Sequence, residues 1–157
     1  MTKRSVNHST IVLERIYDAS PARVFAAWSD PEAPKRWGNP GEGWMAAVDS
    51  FDFRVGGGET SRFGPADGSE VFINETRYLD IVPDARIISA GAMTSAGTTI
   101  FIGMLTVELE PEGKGCRLLL TEQGAFLDGH DVPENHKAGW GAMLDNLATE
   151  VEGRRAA

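Results

Sequence analysis

The chain has 157 residues, of which 41% are hydrophobic and 24% charged, a composition typical of one globular domain rather than of a disordered chain. Fifteen lysines and arginines against 23 aspartates and glutamates give a formal net charge of −8. This charge argues against nucleic acids and anionic membranes as partners, because both require a dense basic surface. A single cysteine, Cys116, excludes an internal disulfide and a metal site with several cysteine ligands.

The N-terminal segment carries no recognisable targeting signal. Met1–Thr10 holds a basic pair with no apolar run behind it, which is unlike a secretory signal peptide. Together with the lone cysteine, this segment predicts a cytoplasmic protein.

A first strand and two helix-start signals follow. Ser9–Tyr17 is rich in β-branched residues and predicts the strand. Ser20, followed by proline, predicts a helix over Ala22–Trp28, because a serine side chain can accept hydrogen bonds from free backbone amides. Asp30, also followed by proline, predicts a second, short helix that ends near Trp37.

The middle of the chain predicts short strands joined by turns. The turns contain Gly, Pro or Asp, as in Gly56–Gly58 and Glu110–Gly115, and this alternation is typical of an antiparallel meander. The predicted strands are Ala46–Phe53, Glu59–Phe63, Glu70–Ile81, a hairpin over Arg86–Leu109, and Cys116–Gln123.

One stretch of this region has the length of a membrane span. Ile87–Val107 contains 21 residues without a charge. Nine of the 21 are Gly, Ser or Thr, however, and Met93–Gly97 separates two β-branched runs. Strand, glycine-containing turn and strand predict a buried hairpin, so we expect no membrane partner.

The C-terminal part predicts one long helix with an apolar face. Asp131, with Glu134 three residues later, predicts a capping box at its start. Gly139 and Gly141 each cost roughly 1 kcal/mol relative to alanine, so either a neighbour packs very close or that turn is loose. The apolar face consists of residues at helical spacing: His136, Trp140, Met143, Leu144, Leu147 and Val151.

Together these elements predict an α+β fold in a single domain over residues 1–157, with an ordered core over about 9–152. A curved antiparallel sheet of about seven strands wraps around the long C-terminal helix, in a helix-grip arrangement. Two short helices lie between the first two strands. A curved sheet that grips a straight helix leaves a space between them unless large side chains fill it.

Four stretches carry a family resemblance. Leu13–Pro31 (LERIYDASPARVFAAWSDP) and Thr121–Gly129 (TEQGAFLDG) are the most specific, and Phe51–Gly57 and Asp80–Ile88 are also similar. Over about Thr10–Val151, the chain resembles the bacterial proteins named after the C-terminal domain of the activator of heat-shock protein 90 ATPase. That family belongs to the START-like (SRPBCC) superfamily, which also contains polyketide cyclases and lipid-transfer domains. The resemblance implies the helix-grip fold with a cavity between sheet and helix, but the fold alone does not fix a function.

The sequence contains no motif of a known catalytic chemistry: GxSxG, HExxH and a Walker loop are all absent, and we expect no cofactor. Asp128, His130, Asp131 and His136 could in principle hold a divalent metal. Such sets arise by chance in acidic loops, so the sequence predicts no metal site.

His136 allows two further interpretations. It could act as a general acid or base at the rim of the cavity. The favoured alternative is a partly buried histidine bonded to a loop carbonyl. Because the helix dipole disfavours a cation near a helix N-terminus, we expect its imidazole to be neutral.

Aromatic residues and methionines are the best candidates for the cavity lining, although most of them are expected to belong to the core. Phe72, Asn74, Thr76 and Tyr78 share a face of one strand by parity. Further polar candidates are Arg62, Arg77 and Thr121. The predicted ligand-binding residues are Trp28, Trp37, Phe63, Phe72, Asn74, Tyr78, Met93, Met104, Phe126, His136, Trp140 and Met143.

The leading functional hypothesis is a module that binds a small apolar or aromatic molecule in this cavity. The alternatives are an enzyme of cyclase or hydrolase type, with His136, Tyr78 or Glu122 as acid–base groups, and a co-chaperone-like interaction domain. A homodimer is left open. A buried carboxylate beside a histidine in an open pocket favours the enzyme, whereas an apolar pocket with one or two hydroxyl or amide groups favours the binding module.

Overall fold

A seven-stranded antiparallel sheet forms one layer of the molecule, and a long C-terminal helix packs against its inner face. The computed structural model describes residues 3–153, so Met1 and Thr2 of the predicted N-terminal segment and residues 154–157 lie outside the described part. The elements are β1 (Val6–Tyr17), α1 (Pro21–Ser29), α2 (Pro34–Trp37), β2 (Trp44–Phe51), β3 (Gly58–Pro65), β4 (Phe72–Val82), β5 (Arg86–Ser95), β6 (Thr98–Glu112), β7 (Gly115–Leu127) and α3 (Pro133–Glu152).

The strand order is β1-β7-β6-β5-β4-β3-β2, so β2 to β7 form a meander and β1 adds to its far edge beside β7. This confirms the predicted α+β, helix-grip architecture. The predicted cap of α1 is also correct, because the Ser20 hydroxyl accepts a hydrogen bond from the Arg23 amide at 3.2 Å. The uncharged stretch Ile87–Val107 is the β5–β6 hairpin with its turn at Ala96 and Gly97. Across residues 3–153, none of the helices combines the length and the apolar character that a membrane crossing needs.

The start of α2 differs from the prediction. The Asp30–Pro31 signal is followed by a turn, in which the Asp30 carboxylate accepts a hydrogen bond from the Glu32 amide at 3.0 Å. The helix begins at Pro34 instead, whose missing N–H is no loss in a first turn.

The predicted capping box of α3 is wrong. The N-cap position is Val132, and no side chain caps the helix. The Asp131 carboxylate accepts hydrogen bonds from the Val132 amide at 2.8 Å and from Asn135 Nδ2 at 3.0 Å, one residue too early for a cap. Its second oxygen binds a side chain of α3 that belongs to the site described below.

The packed core lies between the C-terminal half of α3 and the β1, β6 and β7 side of the sheet. Tyr17, Leu118, Leu144 and Leu147 are at most 2% exposed, and the Tyr17 hydroxyl donates a hydrogen bond to the Leu144 carbonyl at 2.8 Å. Each fully buried leucine contributes about 1.5–3 kcal/mol through removal of its apolar surface from water. This half of the helix is therefore firmly held against the sheet.

Candidate functional site

A cavity of about 680 Å³ lies between the sheet and the N-terminal half of α3. Its walls come from the inner faces of β2 to β6, from α1 and α2, and from α3. The volume falls within the range of roughly 300–1,000 Å³ that small-molecule sites occupy in proteins.

The hollow owes part of its depth to three glycines that face each other on neighbouring strands. Gly91 pairs with Gly103 in β5 and β6, and Gly103 pairs with Gly124 in β6 and β7. Because paired residues of antiparallel strands project to the same face, this row places no side chain on the inner face of three strands. An added side chain on Gly103 or Gly124 would overlap the Phe101 ring, and one on Gly91 would overlap the β4 backbone at Glu75 and Thr76.

Tryptophans form the helical side of the cavity. The Trp28 ring stacks on Trp140 with centroids 6.2 Å apart, and the Trp37 ring meets Trp28 edge-on at 4.7 Å. Trp37 Nε1 donates to the Ala27 carbonyl at 2.8 Å, which fixes α2 against α1. The Trp28 ring borders the cavity, and its buried Nε1 has no hydrogen-bond partner among the described residues.

Polar side chains form the opposite wall, on β3, β4 and β5. Ser61 faces Asn74 across the β3–β4 pair, and Tyr78 faces Ser89 across the β4–β5 pair. All four residues line the cavity. The cavity is thus two-sided, with aromatic rings on the helical wall and hydrogen-bonding groups on the sheet wall.

A carboxyl group completes the polar wall. Glu59 pairs with Thr76 in the β3–β4 register, lines the cavity, and accepts a hydrogen bond from the Tyr78 hydroxyl at 3.1 Å. Burial raises the pKa of the Glu59 carboxyl, and the bond from Tyr78 offsets part of that rise. Burial, together with the nearby Glu59, also raises the pKa of Tyr78, which stays a neutral phenol.

A second polar group joins the start of α3 to β7. His136 lies between two carboxylates: Nδ1 is 2.6 Å from Glu122 Oε1, and Nε2 is 2.7 Å from Asp131 Oδ2. The other Glu122 oxygen accepts a hydrogen bond from Trp140 Nε1 at 3.0 Å. The side chains of His136, Glu122 and Asp131 are only 6–11% exposed. We call His136, Glu122, Asp131 and Trp140 the histidine cluster.

The predicted state of His136 is wrong on both counts. Burial by itself lowers the pKa of His136, but the hydrogen bonds and charges of Asp131 and Glu122 raise it to about 9, so the ring is an imidazolium at neutral pH. Burial alone would raise the pKa of Asp131. The hydrogen bonds from His136 and Asn135 nevertheless hold it below its usual value. Two carboxylates outweigh the unfavourable helix dipole, and they replace the predicted loop carbonyl as partners.

Aromatic rings enclose this imidazolium. The ring centroids of Phe101 and Phe126 lie 4.4 Å and 4.8 Å from that of His136. The cation therefore has carboxylates in its plane and aromatic surfaces around it, which keeps water away from it.

The structure brings eleven of the twelve predicted ligand-binding residues to the cavity border: Trp28, Trp37, Phe63, Phe72, Asn74, Tyr78, Met93, Met104, His136, Trp140 and Met143. Phe126 lies behind them, against Phe101 and His136. Met104 borders the cavity from a position that alternates with the inward Gly103 and Leu105, and 38% of it is exposed, so its side chain belongs to the outer face.

Several residues of the cavity wall were not among those predicted. Glu59, Ser61 and Ser89 line it because β3 and β5 present them to the same face as Asn74 and Tyr78. The parity rule that grouped the residues of β4 would have found them once the strand register was known.

Of the four residues considered for a metal, Asp131 and His136 are in contact, but the four do not form one group. Asp128 binds Arg4 and the Ser5 amide at the end of β1, away from His136. Within residues 3–153, no group of three or more His, Cys, Asp and Glu side chains has an arrangement suited to a metal ion.

Comparison with known proteins assigns the chain to a family. The family model "Activator of Hsp90 ATPase homolog 1-like protein" matches residues 18–152, which include every element except β1. The chain belongs to this family. No curated protein matches the chain.

Solved structures of similar chains from several bacteria show the same architecture. The crystal structure of protein Mll3558 from Rhizobium loti is 44% identical and has a TM-score of 0.84, with 93% of this chain and 99% of that chain covered. An uncharacterised protein from Rhizobium leguminosarum is 38% identical with a TM-score of 0.87, covering 98% of this chain and 100% of that chain. Protein CV1439 from Chromobacterium violaceum is 33% identical with a TM-score of 0.82, covering 91% and 96%.

Proposed function

We propose that the protein binds a small molecule with an apolar or aromatic body in the cavity between the sheet and α3. The observation that carries the proposal is a hollow of about 680 Å³, which the chain keeps open beside a fully packed core. Its volume lies in the range of small-molecule sites, and its wall combines apolar rings with a few polar groups, as such sites do. Trp28 and Trp140 supply flat surfaces for a ring, and Ser61, Asn74 and Ser89 supply hydrogen bonds that orient it.

A second candidate is an enzyme that uses the same cavity. A buried carboxylate beside a histidine favours it, and Glu122 and His136 form such a pair at the cavity wall. Both ring nitrogens of His136 are engaged by carboxylates, however, and a pKa of about 9 leaves the ring protonated at neutral pH. A group in that state cannot serve as a general base, which is why we rank binding first.

Binding is tested with N-phenyl-1-naphthylamine, an uncharged probe whose emission rises in apolar surroundings. We expect saturable binding with micromolar affinity, because burial of a small apolar molecule yields affinities of that order. Phe72→Trp and Met143→Trp add volume inside the cavity and should weaken binding at least fivefold, roughly the effect of one lost apolar contact.

Ile102→Trp is the matched control, because Ile102 lies on the outer face of β6, is 50% exposed and does not border the cavity. This variant should bind the probe as the unmodified protein does. Circular dichroism and a melting curve establish that each variant is folded. Equal binding by all three folded variants would contradict the proposal and favour a protein-interaction domain.

A further inference from the structure

Glu59 is an acidic group on the inner wall of the cavity, largely removed from solvent and without a counter-charge among the described residues. Within residues 3–153, the only hydrogen-bond partner of the Glu59 carboxyl is the neutral Tyr78 hydroxyl, and no ion pair reaches it. A carboxylate that is mostly removed from water without a cation beside it is costly, and the raised pKa of Glu59 is the direct sign of that cost.

All three basic side chains of the cavity wall are already engaged. Arg62 forms two hydrogen bonds with Asp49, at 2.6 Å and 2.9 Å, and Lys35 binds Glu32 at 3.0 Å. His136 is held by its two carboxylates. Neither Asp49 nor Glu32 borders the cavity, so these bonds turn the basic groups towards acids outside it.

The surroundings of Glu59 suit an organic cation better than a metal ion. Its partner Tyr78 lies in a group of aromatic rings, with the Phe53 centroid at 4.9 Å and that of Phe51 at 6.4 Å. Phe51 is also the cross-strand partner of Glu59. An ammonium group is attracted by the faces of such rings and by a carboxylate, whereas a hard metal ion requires several oxygen ligands.

We propose that the ligand of this cavity is an amine: a protonated ammonium group pairs with Glu59 beside the Tyr78 hydroxyl, and an apolar body lies along the tryptophan wall. This inference rests on the proposed binding function and narrows it to one class of ligand. The acidic chain, with a net charge of −8, favours the approach of such a cation.

Three probes with the same ring test the charge preference: 2-naphthylmethylamine as the cation, 2-naphthylmethanol as the neutral analogue and 2-naphthylacetate as the anion. Calorimetric titration at pH 7 gives the dissociation constant of each. We expect the amine to bind at least tenfold more tightly than the alcohol, because a hydrogen bond to a desolvated charge is much stronger than one between neutral groups. The acetate should bind most weakly.

Glu59→Gln should bring the amine-to-alcohol ratio close to one by weakening the amine alone, since glutamine can still accept the bond from Tyr78. Glu75→Gln is the matched control, because Glu75 is exposed and alternates with the inward Asn74 and Thr76, and the substitution removes the same charge. This control should leave the ratio unchanged.

The unmodified protein alone can overturn the inference, so the test does not depend on a variant that folds. Equal affinity for amine and alcohol, or tighter binding of the acetate, would refute the amine assignment and leave the binding function intact. An unchanged ratio in folded Glu59→Gln would refute Glu59 as the anchor. Failure of all three probes would count against the binding function itself.

Discussion

The two halves of α3 face the sheet in opposite ways. The C-terminal half buries Leu144, Leu147 and Val151 in the packed core, where at most 5% of each is exposed. The N-terminal half presents Trp140 to an open cavity, and Met143, just past the middle of the helix, also borders it. The helix therefore packs against the sheet along one part of its length and leaves a cavity beneath the other part.

The difference shows how a small domain keeps a cavity open. The packed half fixes the position of the helix through apolar burial, and the histidine cluster fixes its beginning through charged hydrogen bonds to β7. Between these two attachments the helix does not have to pack against the sheet, so the space between helix and sheet can stay free for a ligand.

The largest expected effect comes from breaking the packed half. Leu147→Ala removes a fully buried side chain and should lower the free energy of unfolding by about 2–5 kcal/mol. Met143→Ala, four residues earlier on the same helix, should cost far less, because Met143 is half-buried and borders space that is already empty. Urea unfolding of both variants measures the contrast, and similar losses would contradict the division of α3 into two halves.

The second attachment should make stability depend on pH. His136 has a pKa of about 9 in the folded protein against 6.5 when free of its partners, a difference that corresponds to about 3 kcal/mol. Because the folded pKa is the higher one, this contribution is complete below pH 6.5 and is lost as the pH rises through about 9.

Chemical denaturation at a series of pH values between 6 and 10 tests this slope. His136→Gln should be less stable than the unmodified protein at pH 6, and the gap between the two should close towards pH 10, where both lack the imidazolium. A gap that stays constant over this range would show that folding does not raise the pKa of His136.

The smallest effect is expected from a glycine of the cavity half. Gly139 borders the cavity, and a methyl group added there would meet no atom within 4 Å. Gly139→Ala should therefore raise the free energy of unfolding by about 0.5–1 kcal/mol, the ordinary gain of alanine over glycine inside a helix. A melting curve measures the gain. A loss of stability would indicate that a neighbour approaches Gly139 closely, the other alternative that the sequence left open.

The sequence predicted the fold well because the signals that start and end its helices and strands are local. Ser20, the β-branched strands and the glycine turns each act within a few residues, and their boundaries are correct to within a few positions. The start of α2 was missed because Asp30 closes a turn with Glu32 instead of capping a helix, and the two outcomes begin with the same dipeptide.

The site was less accessible to sequence reasoning because it depends on contacts between distant segments. The partner Glu122 of His136 is 14 residues away on another element, and no spacing rule joins a strand residue to a helix residue. Asp131 is only five residues from His136, but its spacing to Glu134 predicted a capping box, whereas its second oxygen binds His136. Glu59 was overlooked because the inward face of β3 is undefined until it is paired with β4.

The floor of the cavity, which the three paired glycines form, is mechanically coupled to the start of α3. The far edge of the Phe101 ring lies over Gly103 and Gly124, and the same ring contacts His136. A single methyl group on the sheet, as in Gly103→Ala, would have to displace that ring, and the ring in turn would press on the imidazolium. The shape of the cavity floor and the position of the His136 imidazolium therefore cannot vary independently. A change in one is transmitted to the other through the Phe101 ring.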